Sequence, residues 1–473
     1  MPLSMTLEHA SSAFCESLSA QLPPDSLRPT NSRYLEDPRG RFLGKGTFVA
    51  LPRSVEDVST ILRNCNNARV GVVPFGGGTG LVCGQVSPNA PAPLILSMER
   101  MNAIRSIHPL ENVIIAEAGA ILADLQSAAR NHDRLFPLSL GSEGSARIGG
   151  NLSTNAGGVN VLRYGNARDL CLSLEAVMPD GEIWYGIKRL RKDNTGYDIR
   201  NLLVGAEGTL GVITAAALKL FACPASVGTA IMVVENPEAA LKLLELARND
   251  VGEGISSFEL IHGQGIDFVA EKIPKVRLPF KENPDWMVLI EFGLSVGADD
   301  ALKALFSKGF EVGLVRDGLI AQNSAQRSDF WRLREAIPEA NKKIGAVCSH
   351  DISLPLGAVP KFIDTAKLRI TSVAPFRINC FGHLGDGNLH FNVFPPFGRE
   401  RSDFDGIRAQ ISEIVHELVW DFEGSFSAEH GVGRLKVAEL ERYGDPTRLS
   451  AMRAIKNVLD PNGIMNPGAV LRI

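Results

Sequence analysis

Glycine stands in this chain where few folds could tolerate it. The segment PFGGGTGL, Pro74 to Leu81, follows an apolar run and places glycines at 76, 77, 78 and 80. Residues without Cβ adopt positive φ at no steric cost, and successive N–H groups can then point to one side. Such a nest holds an anion, typically a pyrophosphate. Taken alone, the run serves equally well as a tight turn. It lacks the GKS or GKT of a Walker loop and the ribose-binding acid that follows GxGxxG.

A second cluster adds weight. LGSEGSARIGGNLSTNAGGVNVLRYG carries Gly141, Gly144, Gly149, Gly150, Gly157, Gly158 and Gly165, with Ser142, Asn151, Ser153, Thr154 and Asn155 between them. Fixing so many glycines is costly in chain entropy. The composition suits backbone wrapped around a large, flat, polar ligand. A third segment, NLLVGAEGTLGVITAAALKL, places Gly205, Gly208 and Gly211 before a strand.

The chain of 473 residues has room for two or three domains at roughly 150 residues each. A net charge of −4 gives no field that would attract nucleic acid or an anionic membrane. No basic cluster with interleaved aromatics occurs. The seven cysteines are scattered without a CxxC pair, which points to a reducing compartment rather than a disulfide framework. The first residues lack a basic region followed by an apolar core, so no targeting peptide is expected. No run approaches about 18 apolar residues, so no spanning helix is expected either. A cytoplasmic protein is the expectation.

Residues 6–22 read as a short amphipathic helix, followed by an extended lead-in. From Phe48 the pattern is strand (FVALP), helix (SVEDVSTILRNCNNA, N-capped by Ser54) and strand (VGVVPFG), a βαβ unit. LILSM, VIIAEAGAIL and LCLSLEAVMPDGEIWYG add strands, with a tight turn at Asp180-Gly181. Near Cys223-Pro224 the character changes to longer helices alternating with strands, an α+β domain over about 224–425.

FGHLGDGNLHFNV contains His383, Asp386, Asn388, His390 and Asn392, and SAEHGVGRLK adds Glu429 and His430. Either histidine alone reads as an isolated turn residue. Both converge if the segment is strand, tight turn, strand. Two neutral imidazoles and a carboxylate make a divalent-metal set with open positions for substrate. His9, His108, His132, His262 and His416 lack such company and read as surface or structural residues.

PFGGGTGL, GGNLSTNAGG, NLLVGAEGTLGVIT and the C-terminal LDPNGIMNPG together resemble the FAD-linked oxidase family of the vanillyl-alcohol oxidase superfamily. Within it the chain resembles the D-lactate, glycolate and D-2-hydroxyglutarate dehydrogenase branch, from about residue 45 to the end. The resemblance implies an α+β fold. A PCMH-type FAD-binding α/β domain of two subdomains would be joined to a substrate (cap) domain with an antiparallel sheet. The implied boundaries are 1–44 (helix and lead-in), 45–223 (FAD), 224–425 (cap) and 426–473 (a segment returning to the FAD domain).

The pyrophosphate would lie on Gly76, Gly77, Gly78, Thr79 and Gly80, flanked by Pro74 and Leu81. Gly141, Ser142, Gly149, Gly150, Asn151, Ser153, Thr154, Asn155, Gly157, Gly158, Glu207, Gly208, Gly211, Val212 and Ile213 would line the ADP and isoalloxazine portions, with Pro137, Tyr164 and Asn466. Some members attach FAD through a histidine in the first loop; none stands between Pro74 and Leu81, so a non-covalent flavin is implied.

Further, the resemblance makes His383, His390 and Glu429 ligands of zinc, or of manganese, cobalt or iron in its place. His430 becomes the base and Asn392 a substrate contact. The metal would hold the hydroxyl and carboxylate of a D-2-hydroxy acid, His430 would take the hydroxyl proton, and hydride would pass from C2 to flavin N5. In hydroxyglutarate dehydrogenases an Arg in a WxLRE context binds the distal carboxylate, which implies Arg334. The bland alternative for Arg334 is a solvated helix charge. The assisting Thr and Lys positions hold Pro338 and Ser349 here. Losing both donors costs about 1–3 kcal/mol, which makes D-lactate a rival substrate. His350, Lys342 or Lys343 would be the compensating donors.

Two other functions share these glycine loops: a flavin-dependent transferase of the alkylglycerone-phosphate synthase type, and the flavoprotein subunit of a glycolate-oxidase-like complex. The GHLGDGNLH and AEHG pair favours the dehydrogenase. An electron-transfer flavoprotein, a quinone or a cytochrome fits as acceptor, while the absence of an NAD fingerprint disfavours nicotinamide. A homodimer is the base-rate expectation.

Overall fold

Ser54 Oγ accepts the N–H of Asp57 at 3.1 Å and starts the helix Val55–Ala68, as the sequence pattern requires. Asp57 does not close a capping box on Ser54; its carboxylate takes the N–H of Arg53 instead, at 2.8 Å. The computed structural model describes residues 6–40 and 42–472. Residues 1–5, Arg41 and Ile473, which the sequence analysis places in the lead-in and the C-terminal segment, lie outside the described residues. The first helix covers Ser12–Ser19 rather than 6–22. Its expected first turn is extended because Glu8 pairs in parallel with Val70.

The chain divides into two compact units. The first comprises Met1–Gly157, Asn166–Cys223 and His430–Ile473. It contains a four-stranded sheet in the order Leu27–Pro29, Phe48–Ala50, Leu94–Ser97, Val72–Phe75, in which the last three strands are parallel. The helix Val55–Ala68 is the crossover of the βαβ unit, and its Val58, Ile61, Leu62 and Cys65 are buried. A second, five-stranded antiparallel sheet runs Ile104–His108, Val113–Glu117, Val212–Lys219, Cys171–Val177, Ile183–Tyr185. Gly181 turns the hairpin between its last two strands with φ +89°.

The second unit comprises Gly158–Gly165 and Pro224–Glu429. Its seven-stranded antiparallel sheet has the order Val315–Ile320, Ser226–Val234, Trp286–Leu294, Ile255–His262, Arg377–Gly382, Asn388–Phe394, Cys348–Ser353. Helices cover both faces. Met232, Val288, Ile290 and Leu260 pack with the helices Pro237–Val251, Ala298–Glu311, Val359–Thr371 and Arg408–Asp421. Their strand neighbours Ile231, Met287, Leu289 and Ile261 pack with Gly263–Lys272 and Ser324–Ile344. This alternation is the period-two signature of a strand, and it decides below which polar residues meet.

Residues 158–165, inside the stretch assigned to the FAD domain, fold with the second unit. Arg163 donates to Gly293 O at 2.6 Å, and Ser257 Oγ donates to Val159 O at 2.7 Å. Residues 426–429 also stay with it, since Ser425 bridges Ser353 and Glu429 N–H donates to Asp351 at 2.9 Å. Among the described residues no helix is long and apolar enough to cross a membrane.

Candidate active site

In the first unit the strand Val72–Phe75 ends in the glycine run, and the backbone there approaches other backbone too closely for any side chain. A Cβ on Gly77 would lie 2.2 Å from Ser145 O. Gly208 has φ +69°, and a Cβ there would meet Pro74 Cγ at 2.8 Å. The result is a glycine-walled cleft. Of the residues expected to hold a cofactor, Pro74, Gly76–Gly80, Gly149–Asn151, Ser153, Thr154, Glu207, Gly208, Gly211–Ile213 and Asn466 line it. So does His430, the expected base.

Leu81, Pro137, Gly141, Ser142, Asn155 and Gly157 are not in the lining. Asn155 instead accepts the N–H of Arg168 at 2.9 Å. Gly158 and Tyr164 belong to the second unit. Arg147 and Gln85, which the sequence analysis did not single out, do line the cleft. Two of its buried polar atoms, Asn151 Oδ1 and Arg147 Nε, have no hydrogen-bond partner. Buried polar atoms are rarely left so. A glycine-walled cleft bordered by orphan donors and acceptors fits a bound polar group as large as FAD.

The C-terminal segment is fastened around this cleft. Glu207 accepts the N–H groups of Val432 and Gly433 at 2.7 and 2.8 Å. Asn466 Nδ2 donates to Glu207 O at 2.7 Å. Arg434 donates to the carbonyls of Cys83, Gly84, Val86 and Pro467 and to Asn466 Oδ1. Burial brings its pKa down to about 10. Glu207 and Asn466 therefore border the cleft while part of their polar capacity ties the chain together. Burial raises the Glu207 carboxyl above its ordinary range, with the two N–H groups opposing.

In the second unit the FGHLGDGNLHF segment is strand, 3-10 turn, strand: Arg377–Gly382, Leu384–Asp386, Asn388–Phe394. That turn brings His383 and His390 together, with ring centroids 5.5 Å apart. A nitrogen of each histidine and an oxygen of Glu429 lie within 4.8 Å of one another. His383 Nε2 is 3.6 Å from Glu429 Oε1. Two ligands about 2.1 Å from one tetrahedral ion stand about 3.4 Å apart, so the donor set fits a divalent metal.

The electrostatics of the cluster are governed by burial and by Glu259. His383 Nδ1 is 2.7 Å from Glu259 Oε1. Burial opposes a charged His383 ring, but the carboxylates of Glu259 and Glu429 outweigh it and push its pKa up to about 9. Burial pushes Glu429 up to about 7 and Asp386 up to about 6. Burial would also raise Glu259, yet His383 and Arg334 hold it at about 2. Asp351, unnoticed in the sequence, accepts from Asn388 Nδ2 at 2.9 Å and stands 3.8 Å from His390.

The remaining expected residues divide. Asn392 is buried on the face that carries His390, and opposite it in register is Ser349. Arg334 is 5% exposed, which excludes a solvated helix charge. Its side-on edge is already taken. Nε and Nη2 both bind Glu259 Oε2, at 2.9 and 2.7 Å, and the guanidinium lies over the Phe381 ring. Pro338 is exposed in the same helix. His350 is corrected. Strand alternation turns it away from Asp351, into a layer where it meets Phe391 O, Ser412 Oγ and the ring of His416. It cannot compensate for missing substrate donors from there. Lys342 and Lys343 are exposed on the last turn of the helix, and Lys343 pairs with Glu339.

Two sequence-family models match the chain: "FAD binding domain" over residues 47–185 and "FAD linked oxidases, C-terminal domain" over residues 223–470. The chain is 38% identical to a mitochondrial D-2-hydroxyglutarate dehydrogenase of Arabidopsis thaliana, over 91% of this chain and 76% of that protein. It is 35% identical to a D-2-hydroxyglutarate dehydrogenase of Xanthomonas citri pv. viticola, over 89% of this chain and 88% of that protein. Among solved structures, p-cresol methylhydroxylase with substrate bound aligns with a TM-score of 0.76 at 15% identity, covering 97% of this chain and 96% of that one. An alkyldihydroxyacetonephosphate synthase aligns with a TM-score of 0.73 at 17% identity, covering 98% and 86%. At such identities these two structures report the fold alone.

Proposed function

Because this chain belongs to the FAD-linked oxidase family, we propose that it oxidises a D-2-hydroxy acid, D-2-hydroxyglutarate foremost, to the 2-oxo acid with FAD and a divalent metal. The observation that carries this reading is the convergence of His383, His390 and Glu429 donor atoms within 4.8 Å. The substrate is suggested by the hydroxyglutarate dehydrogenases to which the chain is similar.

When bound, FAD supplies the hydride acceptor, and a divalent ion supplies the charge that lowers the pKa of a coordinated hydroxyl. His383, His390 and Glu429 would hold the ion. Asn392 orients the substrate from the same sheet face as His390. Arg334 meets the distal carboxylate end-on, through Nη1 and the N–H of Nη2 that Glu259 does not take. His430, next in the chain to Glu429, takes the hydroxyl proton as C2 loses hydride. The glycine walls hold the flavin non-covalently, and the electrons leave to an electron-transfer flavoprotein, a quinone or a cytochrome.

Steady-state turnover with an artificial electron acceptor tests the reading, using D and L forms of 2-hydroxyglutarate, lactate and malate, with glycolate. The expected result is the highest kcat/KM for D-2-hydroxyglutarate, falling at least about a hundredfold in His430→Ala, the ordinary reach of general-base catalysis. No turnover of any D-acid by flavin-loaded, metal-loaded protein would overturn it.

A further inference from the structure

The strand Ile255–His262 is apolar on both faces except where Ser256, Ser257, Glu259 and its last residue, His262, interrupt it. Glu259 is wholly buried, at 0% exposure. A lone carboxylate there would be prohibitively costly, so its retention demands partners. It has two, and they lie on either side. Oε1 faces His383 Nδ1 at 2.7 Å, and Oε2 takes Nε and Nη2 of Arg334 at 2.9 and 2.7 Å.

We infer that Glu259 is a positioning residue that joins the metal ligand His383 to the substrate arginine Arg334 through one shared carboxylate. This rests on the metal-assisted reading above. Two consequences follow from the geometry. A carboxylate acceptor at Nδ1 keeps the proton on that nitrogen and leaves the Nε2 lone pair toward Glu429, 3.6 Å away. On the other side, holding Nε and one N–H of Nη2 fixes the plane of the guanidinium and turns its end-on edge, Nη1 with the second N–H of Nη2, toward any further partner. A substrate carboxylate is then met end-on, in the plane that Glu259 sets. The ring of Phe381, 4.7 Å from the guanidinium carbon, holds the same plane. Arg334 alone would meet a distal carboxylate without a set direction, and His383 alone would be free to present either nitrogen.

The test is Glu259→Gln in the full-length, flavin-loaded protein. An amide of the same shape can accept from one partner and must turn its NH2 toward the other. Two quantities are read: cobalt(II) affinity, from the visible spectrum in competition with a chelator, and KM for D-2-hydroxyglutarate against D-lactate. Glu259→Gln is expected to weaken cobalt binding about ten- to a hundredfold. It should also raise KM for D-2-hydroxyglutarate more than for D-lactate, which has no distal carboxylate, while flavin content stays unchanged. Glu259→Asp keeps the charge and should recover part of both losses; it also reads the same quantities if the amide variant does not fold. Unchanged cobalt affinity in a folded variant would overturn the inference while leaving the metal site standing. Failure of the unaltered protein to bind cobalt would instead overturn the metal-assisted reading and the inference with it.

Discussion

The carboxylate of Glu207 accepts the backbone N–H of Gly433 at 2.8 Å, joining residues 226 positions apart. With the bond to Val432 N–H beside it, this is how the last segment of the chain is held against the glycine-lined cleft. Replacing Glu207 by Ala strands two N–H groups in a buried place, each costing about 1–3 kcal/mol. Glu207→Ala should therefore lose about 2–6 kcal/mol of stability in urea denaturation and release FAD on gel filtration. Unaltered stability and full flavin retention would show that the clamp is idle.

The glycines of the glycine-rich segments are not equivalent. A Cβ on Gly77 would sit 2.2 Å from Ser145 O, whereas one on Gly141 or Gly144 would meet nothing within 4 Å. Gly77→Ala should weaken FAD binding at least about tenfold, or 1.4 kcal/mol. Gly141→Ala and Gly144→Ala should leave flavin fluorescence titrations unchanged.

That contrast shows what the sequence made legible. The glycine run 76–80 was readable because close backbone approach excludes every other residue, and the pair His383 and His390 because a strand, turn and strand fix their convergence locally. Gly141 entered the expected cofactor site through the resemblance of its glycine-rich segment and has no place in the cleft lining. His350 was misplaced by strand parity: it neighbours Asp351 in the chain but faces the opposite side of the sheet. Glu259 was visible only as a charge in an apolar strand. Its meaning comes from His383, 124 residues away, and Arg334, 75 away, and such pairings are a property of the sheet order. Arg434 was likewise inside a quoted motif, yet three of its carbonyl partners, Cys83, Gly84 and Val86, lie about 350 residues earlier.

Metal uptake should be coupled to proton release. In the metal-free protein, carboxylates hold the His383 pKa at about 9 and burial holds that of Glu429 at about 7. At neutral pH His383 is therefore protonated, and a metal must displace that proton. Apparent affinity for zinc should rise with pH between 6 and 9, by up to about tenfold per unit from His383 alone. Calorimetry in buffers of different ionisation enthalpy checks this. Affinity independent of pH, with no proton released, would contradict it.

Lys456 and Asp460 form a buried pair on the C-terminal helix, 2.5 Å apart, and Lys456 also donates to Thr209 O and Met465 O. Lys456→Met leaves Asp460 as a buried charge without its ammonium. Breaking such a pair costs about 3–5 kcal/mol, readable as a lowered denaturation midpoint. A midpoint shift of less than about 1 kcal/mol equivalent, the scale of an exposed pair, would show that water reaches Asp460.

The central claim concerns the electrons of a D-2-hydroxy acid. The direct measurement is the absorbance of the bound flavin when the metal-loaded protein is mixed anaerobically with D-2-hydroxyglutarate. The account predicts that the oxidised flavin band bleaches with one equivalent of the acid, that the L-enantiomer leaves it intact, and that prior chelation slows the bleaching severely. A flavin that stays oxidised with every D-acid offered would contradict the account at its root.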